Sequence, residues 1–260
     1  MSQTPSTRIL FLARRYPPHI GGVENHCYQL YTRLSQQRNV KLVALGRTSK
    51  LHLIWFVPYT FLVSLFEILF RRVDVIYFSD GVICVLAPFL RPLTRARFVV
   101  TIYGLEMTYD GFPFGLLMKW GVKYCEKVAV ISEITRDVTH QSGVPLDRIA
   151  IIYLGIEPLI LPEDQRKIRK EQFEKEHQIR FGRDKVLLNY GRIVPRKGMV
   201  AFLEKGMPLL DQDIKLFISG LGPDKDEVQR LSESPDLKDR VKYIFLEDEN
   251  LAMLRAEVDL

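Results

Sequence analysis

The chain has 260 residues, 47% hydrophobic and 26% charged, a balance that allows one large or two small packed domains and excludes a low-complexity or disordered protein. Its net charge of +6 is unevenly held: residues 1–150 carry 18 Lys/Arg against 10 Asp/Glu, and residues 151–260 carry 19 against 21. The basic first half suits an anionic partner such as phospholipid headgroups or a polyphosphate, with an ordinary solvated surface as the plain alternative.

The three cysteines, Cys27, Cys84 and Cys125, make no CxxC or zinc spacing and fit a reducing, cytoplasmic setting. The first apolar run, Ile9–Ala13, is followed by Arg14-Arg15 and is too short for a secretory signal. It reads as a buried strand. The stretch YPPHIGGVENH, residues 16–26, turns the chain. Val23, Cys27, Leu30, Tyr31 and Leu34 then fall on one face of a helix over about 23–37. Whether that Gly21-Gly22 turn cradles an anion or only connects strand to helix stays open at this point.

A strand is expected at Val40–Leu45. Then comes Leu51–Phe70, in which fifteen of twenty residues are apolar, followed by Arg71-Arg72. That length could span a bilayer. Pro58 and Glu67 inside it, and the buried strand Val73–Phe78 directly after it, argue against a span. A core-covering helix and a helix resting on a membrane surface are the other readings. Further strands are expected at Phe98–Ile102, Val128–Ile131 and Ile149–Tyr153, with helices near 114–125 and 133–141. The last of these is capped by Ser132 and closed by Gly143. Continuous apolar strands alternating with helices predict a parallel sheet covered on both faces, a Rossmann-like domain complete by about residue 155.

Residues 163–180, EDQRKIRKEQFEKEHQIR, read as a solvated linker helix with Ile168 and Phe173 as isolated anchors. Strands resume at Val186–Tyr190, Lys215–Ser219 and Val241–Leu246, with a helix near 225–232, so a second Rossmann-like unit has begun. At Val258-Asp259-Leu260 the chain reads as entering a fourth strand.

Ligands of doubly wound sheets sit at the carboxyl ends of strands, where helix N-termini present N–H groups. Gly21-Gly22 lies at such a place. So does YGRIVPRKGM, residues 190–199, in which Gly191 and Gly198 frame Arg192, Arg196 and Lys197. Three cations in six residues beside a strand end suit a diphosphate, and a basic surface loop is the competing reading. There is no GxxxxGK[ST], and Gly220-Leu221-Gly222 lacks the third glycine of a dinucleotide fingerprint, which disfavours an oxidoreductase. Asp211/Asp213 and Asp224/Asp226 have a divalent-metal spacing but bracket a strand, and no metal site is expected. The histidines, His19, His26, His52, His140 and His177, are dispersed.

Taken in order, YPPHIGGVENH, VDVIYFSD with TIYGLE after it, VAVISEITRDV, IIYLGIE, YGRIVPRKGM and FISGLGP resemble the retaining glycosyltransferases of family 4 (group 1), with the GT-B fold. The resemblance implies an α/β protein of two Rossmann-like domains, the second incomplete. These would be an acceptor-side domain over 1–160, a charged linker helix over 161–183 and a partial nucleotide-sugar domain over 184–260. It implies a nucleotide-diphosphate sugar donor, held between the domains and used as substrate, with no cofactor and no metal. Arg192 and Lys197 would hold the diphosphate and stabilise the leaving group, with Arg196 beside them. Gly21 and Gly22 would close over it, and Glu24 and Gly222 would lie near it. Tyr103 and Glu106 would stand at the catalytic position.

The acceptor implied is a lipid-linked, lipopolysaccharide or exopolysaccharide glycan at the inner membrane face. The basic charge of the first half, apart from the resemblance, suggests an anionic membrane surface as a further partner, and no nucleic acid is expected. The activity implied is metal-independent hexosyl transfer. Two departures from the family bear on this. Tyr103-Gly104 stands where the family has His-Gly, and a phenol with an ordinary pKa of ~10 is a poor imidazole substitute. The family's later Glu-x7-Glu pair lies beyond Leu260, which predicts weak or no turnover by residues 1–260 alone. The alternative is a non-catalytic, membrane- or partner-binding Rossmann remnant.

Overall fold

The computed structural model describes residues 7–19, 21–46, 51–155 and 159–258. The chain divides into two compact units, Met1–Gly155 and Ile156–Leu260.

The first unit holds a six-stranded, all-parallel sheet in the order β2-β1-β3-β4-β5-β6. Its strands are β1 (Arg8–Ala13), β2 (Asn39–Ala44), β3 (Val75–Phe78), β4 (Arg97–Ile102), β5 (Lys127–Val130) and β6 (Ile149–Ile151). Its helices are α1 (Gly22–Gln37), α2 (His52–Arg71), the short α3 (Ala87–Leu90) between two 3-10 turns, α4 (Phe114–Val122) and α5 (Glu133–Gln141). Successive residues of a strand point to opposite faces, so the unbroken apolar run of β1 serves two cores. Ile9, Phe11 and Ala13 pack with Cys27, Val23, Leu30, Tyr31 and Leu34 of α1. Leu10 and Leu12 pack with Phe56 of α2, Leu90 of α3 and Met118 of α4. The expected α1 face is therefore the one that is buried.

Ser132 caps α5 as expected, accepting the Thr135 N–H at 3.2 Å, and Gly143 follows the helix at φ +94°, a conformation glycine adopts without strain. β2 and β3, which flank α2 in sequence, lie in one sheet. α2 thus runs alongside the sheet as a crossover, and a span between two compartments is ruled out.

The second unit has a three-stranded parallel sheet of β7 (Lys185–Tyr190), β8 (Ile214–Ser219) and β9 (Val241–Tyr243). Its helices are α6 (Glu163–His177), α7 (Met199–Ala201), which continues through a π-turn over Phe202–Gly206, α8 (Lys225–Ser232) and α9 (Asp248–Glu257). Leu216 and Ile218 of β8 face Met199, Leu203 and Val228, and Phe217 faces the opposite layer.

That opposite layer corrects the reading of 163–180 as a solvated linker. Phe173 of α6 is 4% exposed, and its ring meets those of Phe217 at 5.0 Å and His177 at 4.2 Å in tilted contacts, so α6 belongs to the second unit's own packing. Its charges are used laterally: Arg169 pairs with Glu249, and Lys170 meets Glu257 at 2.6 Å, fastening α6 to α9. α9 itself, weakly amphipathic, was not foreseen. Val258 follows α9 without strand structure. Ile20 of the glycine turn, Ile156-Glu157 of IIYLGIE and Asp259-Leu260 lie outside the described residues.

Candidate functional site

The strand order reverses between β1 and β3, because β1 leads through α1 to β2 on one side while β3 pairs on the other. At such a point two helix N-termini diverge and leave a crevice at the strands' carboxyl ends. The first unit places a polar cluster there. α1 begins at Gly22, with the Asn25 N–H on the Gly21 carbonyl at 2.9 Å. A Cβ on Gly21 would lie 2.3 Å from Glu24 Oε2, whereas one on Gly22 would meet nothing within 4 Å. Gly21 is thus small because the Glu24 carboxylate folds back over it, and Gly22 is the open side of the turn. Glu24 is 4% exposed and faces Arg15 at 3.5 Å. In this arrangement it anchors the start of α1, where the helix dipole favours a negative charge.

From the end of β3, Asp80 is 1% exposed. Its Oδ2 accepts Arg14 Nε at 3.2 Å, and its Oδ1 accepts the Val82 and Ile83 N–H groups at 2.9 and 3.2 Å. From the end of β4 come Tyr103 and Glu106. The Tyr103 hydroxyl lies 4.0 Å from Cys27 Sγ, and the His26 ring meets the Tyr103 ring edge-on at 5.9 Å. Burial, then the neighbouring Cys27 and Tyr77, pushes the Tyr103 phenol far up, so it acts as a neutral hydrogen-bonding group. Burial likewise raises the Cys27 thiol to about 12 and keeps it inert, and it lowers His26, favouring a neutral imidazole. Burial and, further down, the Asp80 charge raise the Glu106 carboxyl, and its Oε2 is buried without a hydrogen-bond partner. A buried, unpaired carboxyl oxygen and a neutral, partly exposed hydroxyl, both following β4 at the sheet's carboxyl edge, suit a hydroxylated ligand.

Arg14, Asp80, His26 and Cys27 were not singled out as site residues from sequence. The available signal was the acid of VIYFSD, which directly follows a buried parallel strand.

In the second unit the loops after β7 and β8 are laced together. Gly191 N–H donates to the Ser219 carbonyl and Ile193 N–H to the Leu221 carbonyl, each at 2.9 Å. A Cβ on Gly222 would lie 1.8 Å from the Ile193 carbonyl oxygen, and one on Gly220 1.7 Å from that of Gly191. These two glycines are required by close backbone approach. Lys197 closes a 3-10 turn whose last residue precedes Gly198 at φ +70°, and its Nζ returns to within 3.3 Å of where a Gly191 Cβ would stand. Arg192, Arg196 and Lys197 are all exposed, and none has an ion-pair partner among the described residues. The loop therefore presents three uncommitted cations at a strand's carboxyl end.

Asp211 and Asp213 lie instead at the amino end of β8, 3.8 and 3.3 Å from Lys185. Among the described residues no group of three or more His, Cys, Asp or Glu is placed to hold a metal ion. A shallow cavity of about 480 Å³ lined by Arg91, Lys123 and Arg148, among others, lies at the amino end of β5, away from this chemistry.

Residues 20–158 match the model of Glycosyltransferase Family 4, and residues 170–258 that of Glycosyl transferases group 1. Among curated proteins, the chain is 25% identical over 170 residues to the N-acetyl-alpha-D-glucosaminyl L-malate synthase of Bacillus anthracis, covering 64% of this chain and 43% of that one. It is 23% identical over 200 residues to an uncharacterized glycosyltransferase of Methanocaldococcus jannaschii, covering 73% and 51%. The chain thus spans about half the length of these relatives. Among solved structures, HepE of Anabaena in complex with UDP superposes with a TM-score of 0.68 at 17% identity, covering 97% of this chain and 72% of that one. The catalytic domain of starch synthase IV from Arabidopsis thaliana gives 0.72 at 13%, covering 98% and 77%. The ordered motifs, the parallel α/β units and the two family matches that together take in most of the sequence lead to one assignment: the chain belongs to the group 1 glycosyltransferases of family 4, with the GT-B fold.

Proposed function

We propose that the chain serves retaining transfer of a sugar from a nucleotide-diphosphate donor to a lipid-linked, lipopolysaccharide or exopolysaccharide acceptor, without a metal ion. The observation that carries this reading is the loop after β7, where Arg192, Arg196 and Lys197 are exposed and without ion-pair partners among the described residues. A diphosphate leaving group develops negative charge, and preorganised Arg and Lys side chains stabilise it as a divalent ion would. Gly222 acts here through the backbone, holding the β8 loop against the cationic one. Gly22 leaves the N-terminus of α1 open to the donor. Tyr103 and Glu106 meet hydroxyl groups of the sugars.

HepE has been solved with UDP, with UDP and glucose, and with UDP-glucose, which supports a nucleotide sugar as donor. A further fold neighbour at TM-score 0.62 and 15% identity is the lipopolysaccharide outer core galactosyltransferase WaaB, which fits an acceptor of that class at the inner face of a membrane.

Thermal unfolding of the chain with UDP, GDP and ADP tests the donor half of the proposal. A ligand at a hundred times its Kd adds about 2.7 kcal/mol to the folded state. One of the three should raise the melting temperature, equally with and without EDTA, and Lys197→Ala should abolish the rise. Indifference to all three nucleotides, or a rise that survives Lys197→Ala, would sink the reading.

A further inference from the structure

α2 is apolar on both faces. Phe56 is buried, Leu53, Val57, Phe61, Val63 and Ile68 pack against the same core, and Thr60, Ser64 and Glu67 are buried among them. Ser64 returns its hydroxyl to the Thr60 carbonyl at 2.7 Å, and Glu67 is committed to Arg8 at 2.9 Å. The residues it turns outward are apolar: Ile54, Leu62, Leu69 and Phe70 are 74%, 63%, 61% and 72% exposed. Trp55 and Tyr59 are half exposed on the same helix, in ring contact at 6.2 Å. A surface helix of a water-soluble unit turns a polar face to solvent, and a contiguous exposed apolar stripe of this length marks an interaction surface.

Charge identifies the occupant. The first hundred residues hold 13 Lys/Arg and only four acids. Three of those acids, Glu24, Glu67 and Asp80, are buried and turned to arginines. The fourth, Asp74, is exposed and accepts the Arg8 N–H at 2.8 Å. The stripe itself carries no exposed acid and ends in the exposed pair Arg71-Arg72. A second copy would set this basic surroundings against itself, whereas an anionic lipid surface complements both the arginines and the apolar stripe. Immersion is limited to one face, because Glu67 and its Arg8 partner lie on the other.

We propose that the outward face of α2 is a membrane-docking surface that lies in the interfacial plane of an anionic bilayer. The inference rests on the lipid-linked acceptor reading for its purpose. As the crossover from the carboxyl end of β2, α2 begins at the sheet edge that carries Gly22 and Tyr103. A docked α2 brings that edge near the lipid surface.

The test uses the 260-residue chain with Trp120→Phe, which leaves Trp55 as the single tryptophan. It is titrated with vesicles of phosphatidylcholine alone or mixed with phosphatidylglycerol. Binding to the mixed vesicles, with a blue shift of Trp55 and its quenching by lipid-borne quenchers, is the expected result. Leu62→Ser or Leu69→Ser should each weaken partitioning by about tenfold or more. Arg71→Gln with Arg72→Gln should weaken it by about fivefold per charge on anionic vesicles only. Failure to bind either vesicle, or binding that leaves Trp55 unshifted, overturns the proposal. So does a Trp55 shift on dimerisation without lipid. Nucleotide protection is read on the same samples. Protection without vesicle binding removes the docking surface and leaves the transferase reading intact, and vesicle binding without protection does the reverse.

Discussion

Gly222→Ala probes the join that holds the cationic loop. The new Cβ would start 1.8 Å from the Ile193 carbonyl oxygen and 2.6 and 2.9 Å from that residue's carbonyl carbon and nitrogen, all backbone atoms. Ordinary contact begins near 3.4 Å, so the two loops must part by about 1.6 Å. That separation breaks the 2.9 Å bond from Ile193 N–H to the Leu221 carbonyl. One net backbone hydrogen bond is worth about 1 kcal/mol, and overpacking adds about 1–3 kcal/mol, for a loss of roughly 2–4 kcal/mol from the second unit. Thermal and urea unfolding followed by circular dichroism reads the loss. Nucleotide titration of the folded fraction should show weakened binding as well, since Arg192 and Lys197 move with their loop. A variant with unchanged stability and unchanged nucleotide affinity would refute both the close approach and its role.

The other predictions pair with this one. Gly22→Ala, with open space around its Cβ, should hold stability within about 0.5 kcal/mol yet weaken nucleotide protection, and a destabilised protein would contradict the open turn. Phe173→Ala should cost about 3–5 kcal/mol in a melt, and a change below about 1 kcal/mol would return α6 to the status of a solvated linker. Glu67→Ala strands the mostly buried Arg8 and should cost about 2–3 kcal/mol, part of it recovered in the double variant with Arg8→Ala; strict additivity of the two single losses would argue against the pair.

For Glu106, burial raises the folded-state value above the ordinary 4.5. The native state therefore holds the proton longer than the unfolded chain, and stability from this group is complete below 4.5 and falls as pH rises through the folded value. Glu106→Gln should match the parent in acid and melt higher at neutral pH, and a lower neutral melting temperature would count against a strained carboxyl.

Much of the architecture was legible because it rests on local pattern. Apolar runs of four to six residues between helical stretches specify a doubly covered parallel sheet, and they appear as β1 to β5 within a residue or two. The α1 face, the Ser132 cap and the position of the Arg192–Lys197 loop follow from spacing alone. The linker reading of 163–180 failed because charge density was taken for solvation. One phenylalanine suffices to seat α6 on Phe217, and three of its cations, Arg166, Arg169 and Lys170, pair with α9, whose own pattern is too weak to announce a helix.

The sequence by itself determined the family, the parallel α/β units and the two glycine-bearing turns, since these depend on residue type and order along a few turns of chain. Only the tertiary structure decided what depends on distance between remote segments. Arg14 and Asp80 meet across 66 residues, Glu106 Oε2 is buried without a hydrogen-bond partner, and Gly222 is small because Ile193, 29 positions earlier, passes beneath it. It also decided which side of α2 faces the sheet. Apolar content does not orient a helix that is apolar on both faces; the packed one is the face that carries Phe56 and the Glu67 that pairs with Arg8, and the other is left exposed.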